Sequence, residues 1–352
     1  MSVELERYAA IGDMRTIGLV DDTGSLDWWC WPRFDSPSIF GRLLDDDGGH
    51  WEIDPAAPVV ARRHVYLSAT NVLVTRMHTA TGVLEVDDLM AIGEPRLIVR
   101  RARCVRGTID LTSTMVVRPD YGRTEASFEA RPGGGIEIGV GGAPPLLATS
   151  SIPLTVEGDR VTASCDLGEG ETAWFTLGDH GTAGVDIDSV IEATVDYWQS
   201  WTSRSNYRGR WRESVERSAL ALKLLTSVET GGLIAAGTTS LPEVIGGERN
   251  WDYRYVWIRD AAFMLYAFLE LGYATEAAAF TDWLTARLET CAARCATSDR
   301  PPLSPLYDLD GNDELTETDL GHWSGYADSR PVRIGNAASG QVQLDIYGEL
   351  ID

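Results

Sequence analysis

Positive charge is scarce in this chain. Lysine and arginine together number 30 against 53 aspartates and glutamates, and Lys223 is the only lysine. A net charge of −23 repels phosphodiester backbones and anionic lipid headgroups, so nucleic acid and membrane surfaces are set aside as partners. The shortage of lysine beside abundant arginine points to a GC-rich coding sequence and says nothing of function. Cysteine is sparse as well: Cys30, Cys104, Cys165, Cys291 and Cys295 are odd in number and mostly far apart. That fits buried thiols in a reducing, cytoplasmic setting. The opening, MSVELERYAAIGDM, has no basic n-region and no apolar h-region, so no signal peptide is expected. No apolar run reaches membrane-spanning length, since Asp260 and Glu270 bound the best candidate.

Cofactor and metal motifs are missing too. There is no Walker loop and no dinucleotide fingerprint. His50, His64, His78, His180 and His322 are scattered, and Cys291 and Cys295 lack histidines at ligand spacing. YDLDGNDELTE (307–317) resembles a calcium loop, but Gly311 falls fourth from Asp308 and not sixth, so it reads as a polar turn. GTTS (237–240) lacks the context of a nucleophile elbow. No cofactor and no metal are expected.

What is present divides into two halves. Residues 1 to about 185 alternate as short strands. HVYLSATNVLVTRMHTATGVLEVDDLMAI predicts two around the turn near Gly82, and RLIVRRARCVRGTIDLTSTMVVRPDYG predicts two more broken at Arg106–Gly107. Many short antiparallel strands over this length predict a large β-sandwich. After Gly184 the period becomes helical. Residues 185–205 predict a connector helix, and 209–228, 258–273, 275–295 and 334–352 predict four more. Long loops, 229–250 and 296–333, separate them, and loops of that length in a compact domain are uncommon unless functional. The segment 258–273 is apolar nearly all round and demands burial on several sides. The last helix runs to Asp352 without a cap, so the chain reads as the N-terminal portion of something longer.

The stretch WDYRYVWIRD (251–260) mixes four large aromatics with two Arg and two Asp. One reading is a core helix with a decorated start, its charges paired with each other. The other is saccharide recognition. A pyranose offers apolar C–H faces, on which Trp and Tyr stack, and a rim of hydroxyls, which Arg and Asp chelate with charge-assisted bonds. Trp257, Arg259 and Asp260 supply that set within four residues, and Asp260 in a first helical turn is also favoured by the helix dipole. Two other stretches are similar. DWWCWPRFDSPSIF (27–40) places Trp31, Arg33 and Asp35 together, as core, interface or the wall of a site. HWSGYADSRPVRIGNAASGQ (322–341) brings Trp323, Tyr326, Arg330 and Arg333 into a loop, either solvated or functional.

On these residues the chain resembles the glucoamylase-type inverting glycoside hydrolase family, which also contains trehalases and glucodextranases. IGDMRTIGLVDDTGSLDWWCWPRFDSPSIFGRLLDDDGGHWEI is similar to the N-terminal module of its bacterial trehalase-like branch. RNWDYRYVWIRDAAF and SGYADSRPVRIGNAASGQ resemble two active-site segments, and QLDIYGELID the helix that follows. The resemblance implies an N-terminal antiparallel β-sandwich (1–185), a helical linker (186–208) and the first part of an (α/α)6 barrel (209–352). It implies that Arg259 and Asp260 hold the non-reducing-end glucose, that Trp257 and Tyr253 line that pocket, and that Arg330 and Arg333 line the adjoining sugar position. Trp31, Arg33 and Trp323 are candidate walls.

The implied activity is exo-acting, inverting hydrolysis of trehalose or a short α-glucan, with β-glucose released. It uses two carboxyls roughly 6.5–9.5 Å apart, one protonating the leaving oxygen and one activating water. Neither is expected within this chain; both are expected downstream of Asp352, and Glu349 in the YGE tail matches a helix position before the catalytic segment. The chain as given is therefore expected to be inactive, with a large apolar surface exposed. A small α-glucoside is the expected partner. A non-catalytic carbohydrate-binding or scaffold protein is the alternative. A phosphorylase would need phosphate ligands that no residue here identifies.

Overall fold

A computed structural model describes residues 3–132, 134–179, 185–295 and 303–350; His180, Gly184 and Asp352 lie outside them. The chain divides into two compact units, Met1–Thr202 and Ser203–Asp352.

The first unit is built on a 15-stranded antiparallel sheet. Its centre is the strand Leu97–Val116, which changes partners along its length. The first half pairs with Gly82–Met90 and Thr172–Gly178, and the second half with His50–Pro55 and Arg160–Gly168. The break expected at Arg106–Gly107 is instead a bulge. The register against Gly82–Met90 slips there, Gly107 takes φ +74°, and the strand continues. A Cβ on Gly107 would meet the Thr81 carbonyl oxygen at 2.2 Å, so glycine is required at this crossing.

Burial along this strand follows its surroundings. In the second half Ile109, Leu111, Ser113 and Met115 face inward while Thr108, Asp110 and Thr112 face out, the period of two expected of a sheet with one wet face. In the first half both faces are covered. Ile98, Ala102 and Cys104 enter the main core, and Leu97 and Val99 lie under helix α1 (Ile187–Ser203), which docks Ile187 and Ile191 on them. That is why LIV runs without alternation. Cys30, Cys104 and Cys291 are buried and Cys165 is half-buried.

The second unit carries α2 (Arg212–Leu224), α3 (Ile258–Leu271), α4 (Ala274–Cys295) and the short α5 (Asp345–Glu349). α3 ends at Gly272 with φ +89°, where the Gly272 and Tyr273 amides donate to the Leu269 and Phe268 carbonyls, a glycine C-terminal closure. The unit is not all-helical. Three two-stranded ladders cross the segments expected to be loops: Thr239–Pro242 with Asn250–Asp252, Val256–Trp257 with Leu306–Tyr307, and Thr318–Asp319 with Arg333–Ile334. The helix expected over 334–352 is mostly absent from the described residues. Gly335 at φ +76° and extended Asn336, whose side chain caps the 3-10 turn Ala337–Gly340, divert the backbone before α5 begins. Residues 307–312 form a tight polar turn, with both Asp308 oxygens accepting from Asn312. No helix among the described residues is long and apolar enough to cross a membrane.

α3 is apolar nearly all round, and only part of it is covered. Ala261, Met264 and Phe268 are buried, whereas Phe263 and Tyr266 are each 65% exposed and Leu269 is 51% exposed.

Candidate active site

The site is laid out by strand alternation followed by a helix start. In NWDYR, Asp252 and Arg254 point inward and are fully buried, while Trp251 and Tyr253 alternate to the half-exposed face. The strand character persists past Asp252 because the Ala236 and Ala235 amides donate to the Tyr253 and Tyr255 carbonyls. Trp257 ends the extended run at ψ 124°, and α3 opens on Ile258 with Arg259 and Asp260 in its first turn.

The structure brings Tyr253, Trp257, Arg259 and Asp260 together. The Tyr253 and Trp257 rings lie 6.0 Å apart, tilted by 51°, and the Arg259 guanidinium stands 5.9 Å from the Trp257 ring centre. Arg259 Nη2 lies 3.8 Å from Asp260 Oδ2, beyond hydrogen-bond reach. The tighter partner of Arg259 is Asp345, whose Oδ2 accepts from Nη1 at 2.8 Å. Gln343 Oε1 accepts from the same nitrogen at 3.4 Å. Asp345 and Gln343 arrive from the start of α5, 86 and 84 positions along the chain. No signal in the sequence marks Asp345, because position 345 falls inside the helix expected over 334–352, whereas α5 starts at that residue.

Two atoms of this cluster are buried without any hydrogen-bond partner: Trp257 Nε1 and Asp260 Oδ2. Burial pushes the Asp260 carboxyl above the usual carboxylate range, with Arg259 opposing the shift. Asp345 moves the other way, held down by the hydrogen bond from Arg259. Burial also raises the Tyr253 phenol. The cluster therefore presents a free indole donor, a free carboxylate acceptor, a guanidinium with spare donors and two aromatic faces. That inventory matches a polyhydroxylated ring better than an anion or a purely apolar ligand.

The remaining candidates hold other partners. The Arg333 guanidinium stacks 4.6 Å from the Trp251 ring, faces Glu317 at 3.3 Å and Asp319 at 3.6 Å, and donates to the Glu248 carbonyl at 2.7 Å. Arg330 is exposed. Trp323 and Tyr326 are buried. Trp31 and Arg33 belong to the first unit: Trp31 is 3% exposed in its core, donates to the Pro144 carbonyl and lies under Arg96, while Arg33 pairs with Asp35. A cavity of about 490 Å³ in the second unit is lined by Ser304, Asp313, Glu314, Glu317, Ser339 and Gln341, among others. It includes neither Arg259 nor Asp260 and has no arginine in its wall. The unpartnered Trp257 Nε1 and Asp260 Oδ2 stand instead at the start of α3.

Residues 209–352 match the family described as Glycosyl hydrolases family 15, and residues 1–168 match that described as Trehalase-like, N-terminal. A trehalase of Mycolicibacterium smegmatis is 35% identical over 376 residues, covering 98% of this chain and 56% of the relative. A trehalase of Mycobacterium tuberculosis is 35% identical over 378 residues, covering 98% and 55%. Trehalase 1 of Sulfolobus acidocaldarius is 37% identical over 342 residues, covering 97% and 58%. The chain thus spans a little over half the length of these curated relatives.

Proposed function

We infer, because the chain belongs to the trehalase-like branch of glycosyl hydrolase family 15, that it is the sugar-gripping part of an exo-acting, inverting α-glucosidase. The substrate is trehalose or a short α-glucan, and the first product is β-glucose. The observation that carries this reading is the incomplete hydrogen bonding at the start of α3. Asp260 Oδ2 and Trp257 Nε1 are buried and unpartnered, and a buried polar group left unpaired costs about 1–3 kcal/mol. Hydroxyls of a terminal glucose relieve both deficits. Asp260 accepts from one, Arg259 donates to a neighbour, and the Trp257 and Tyr253 rings cover the C–H face. Arg330, on the exposed stretch after Ser329, lines the adjoining sugar position, and Arg333 lines it through the loop that it anchors on Trp251.

Hydrolysis with inversion requires a carboxylic acid at the leaving oxygen and a carboxylate activating water from the opposite face, roughly 6.5–9.5 Å apart. We assign neither role within residues 1–352, Glu349 included. We place both in the part of the relatives' length that this chain does not span. On this reading residues 1–352 alone hydrolyse nothing, and the α3–α4 hairpin is one hairpin of an (α/α)6 barrel. The exposed Phe263, Tyr266 and Leu269 support this, since an apolar helix face of this kind calls for covering helices.

The test uses a polypeptide of the relatives' length with trehalose, maltose, isomaltose and starch. Proton NMR of the first turnover is expected to show β-glucose; α-glucose appearing first overturns inversion, and no hydrolysis of any of the four overturns the activity. The clamp needs Asp260 ionised. Burial raises that group, so the acid limb of kcat/KM is expected at a pH above the ordinary carboxylate range, and Asp260→Asn removes it.

A further inference from the structure

The strand that presents the site has a second face, and that face is charged. Asp252 and Arg254 are 0% and 1% exposed in their side chains and form a buried ion pair. Arg254 Nε donates to Asp252 Oδ1 at 2.9 Å, and Nη2 donates to Oδ2 at 2.7 Å. Neither residue faces the sugar-gripping cluster, because alternation sends Tyr253 to the other side. A buried ion pair is poor value as a stabiliser: well-packed apolar residues of similar volume often serve as well or better.

What an apolar pair cannot do is accept hydrogen bonds from another segment, and Asp252 does so. Its side-chain Oδ2 takes the Gly335 amide at 3.2 Å; beside it, the backbone carbonyl of the same residue, which any side chain would leave in place, takes Asn336 Nδ2 at 3.0 Å. Two residues earlier Asn250 Nδ2 reaches the Ser329 and Pro331 carbonyls at 3.1 and 3.2 Å. Gly335 itself cannot shift freely. It sits at φ +76°, and a Cβ there would meet the Thr316 carbonyl oxygen at 2.0 Å. The segments 250–254 and 329–336 are thus locked together at both ends. The first leads directly into Tyr253, Trp257, Arg259 and Asp260; the second carries Arg330 and leads to Gln343 and Asp345, which hold Arg259.

We propose that Asp252 and Arg254 are positioning residues: their buried pair is a splint that sets the spacing between the α3 start and the 329–345 segment. It thereby sets the geometry in which a terminal glucose and its neighbouring sugar are held. The inference rests on the glucose-clamp reading of the site. It assigns the pair a role in geometry rather than in net stability, so the two must separate experimentally.

The experiment uses the polypeptide of relatives' length and the double variant Asp252→Leu/Arg254→Met, with Arg254→Lys as the conservative single change. Removing both charges together leaves no uncompensated buried ion. The double variant is therefore expected to melt within a few degrees of wild type while kcat for trehalose falls about 10²-fold with KM changed less, the loss typical of a displacement near 1 Å. Arg254→Lys keeps the charge but not the two-pronged contact and is expected to fall between. Hydrogen exchange at the Gly335 amide is expected to speed up in the double variant while α4 is unchanged. Equal kcat in a stably folded double variant, with Asp260→Ala inactive alongside it, overturns the splint and leaves the clamp standing. Wild type inactive on every α-glucoside removes the clamp and the proposal together. Unchanged exchange at Gly335 overturns the splint whatever the substrate, and it reads out even where single variants melt early.

Discussion

Each unit contains arginine and aspartate among tryptophans, and the two do opposite things with them. In the first unit Arg100 is fully buried, and every nitrogen of its guanidinium is engaged: Nε with Asp88 Oδ1, Nη1 with the Trp51 carbonyl and Nη2 with the Gly24 carbonyl. Its guanidinium also lies 5.1 Å from the Trp51 ring centre. In the DWWCWPRFD stretch Trp31 lies under Arg96 and Arg33 pairs with Asp35, although Arg96 Nε is itself buried without a partner. In the second unit Arg259 and Asp260 stand at 3.8 Å without completing a hydrogen bond, and Trp257 Nε1 has no acceptor. The same residue types complete every guanidinium contact at Arg100 and leave an indole nitrogen and a carboxylate oxygen without partners at the head of α3. Composition does not tell the two apart; satisfaction does.

The strongest way to break that contrast is to delete the open carboxylate. In a polypeptide of relatives' length, Asp260→Ala is expected to lower kcat/KM for trehalose by about 10³-fold or more, with the melting midpoint nearly unchanged. Activity close to wild type would reject the clamp. The mirror experiment deletes the closed arginine. Arg100→Met strands Asp88 in the core, which is expected to cost about 3–5 kcal/mol and to lower the melting temperature of the first unit by roughly 10 °C. If calorimetry shows a drop of only a degree or two, the pair is not the structural element described here.

A finer comparison lies within α3. Phe268 is 0% exposed and Phe263 is 65% exposed. In the chain 1–352, Phe268→Ala is expected to cost about 3–5 kcal/mol by denaturant titration, and Phe263→Ser within about 0.5 kcal/mol of nothing. Repeating Phe263→Ser in the longer polypeptide sharpens the point, since a cost that rises there marks a face the additional helices cover.

The smallest expected effect is in acid. His50, whose Nε2 stands 3.6 Å from a Glu52 oxygen, and Arg42 hold Glu52 down at about 2 instead of 4.5 against the effect of burial. A depressed carboxyl contributes stability that is fully present above its unfolded value and is lost as pH falls through the folded one. The first unit should therefore weaken gradually between those two values, and Glu52→Gln should flatten that part of its melting-temperature curve. No flattening would show that other carboxylates govern the acid limb.

Much of this was legible in one dimension. The alternation of segments such as IDLTSTMV, the helical spacing of α1 to α4 and the aromatic–charge mixture at 251–260 are local signals, and each element formed near its expected place. The misreadings share a cause as well. Gly107 reads as a strand break, but a bulge lets one strand serve two sets of partners. The loop 229–250 holds an edge of the 239–252 ladder because Asn250 and Thr239 bond to residues more than 75 positions away. The tail 334–352 has helical spacing, yet Gly335 is held against Thr316 and the backbone turns away.

By itself, then, the sequence determined where the chain alternates, where it coils and which residue types stand at the head of α3, because those depend on steric preferences and on periods of two and 3.6 residues. Only the tertiary structure decided which charges close on each other and which stay open. The arrival of Asp345 at Arg259, the fit of Gly335 against Asp252 and the isolation of Asp260 Oδ2 depend on which distant segments meet, and hydrogen-bond satisfaction is a property of that meeting rather than of any window of residues.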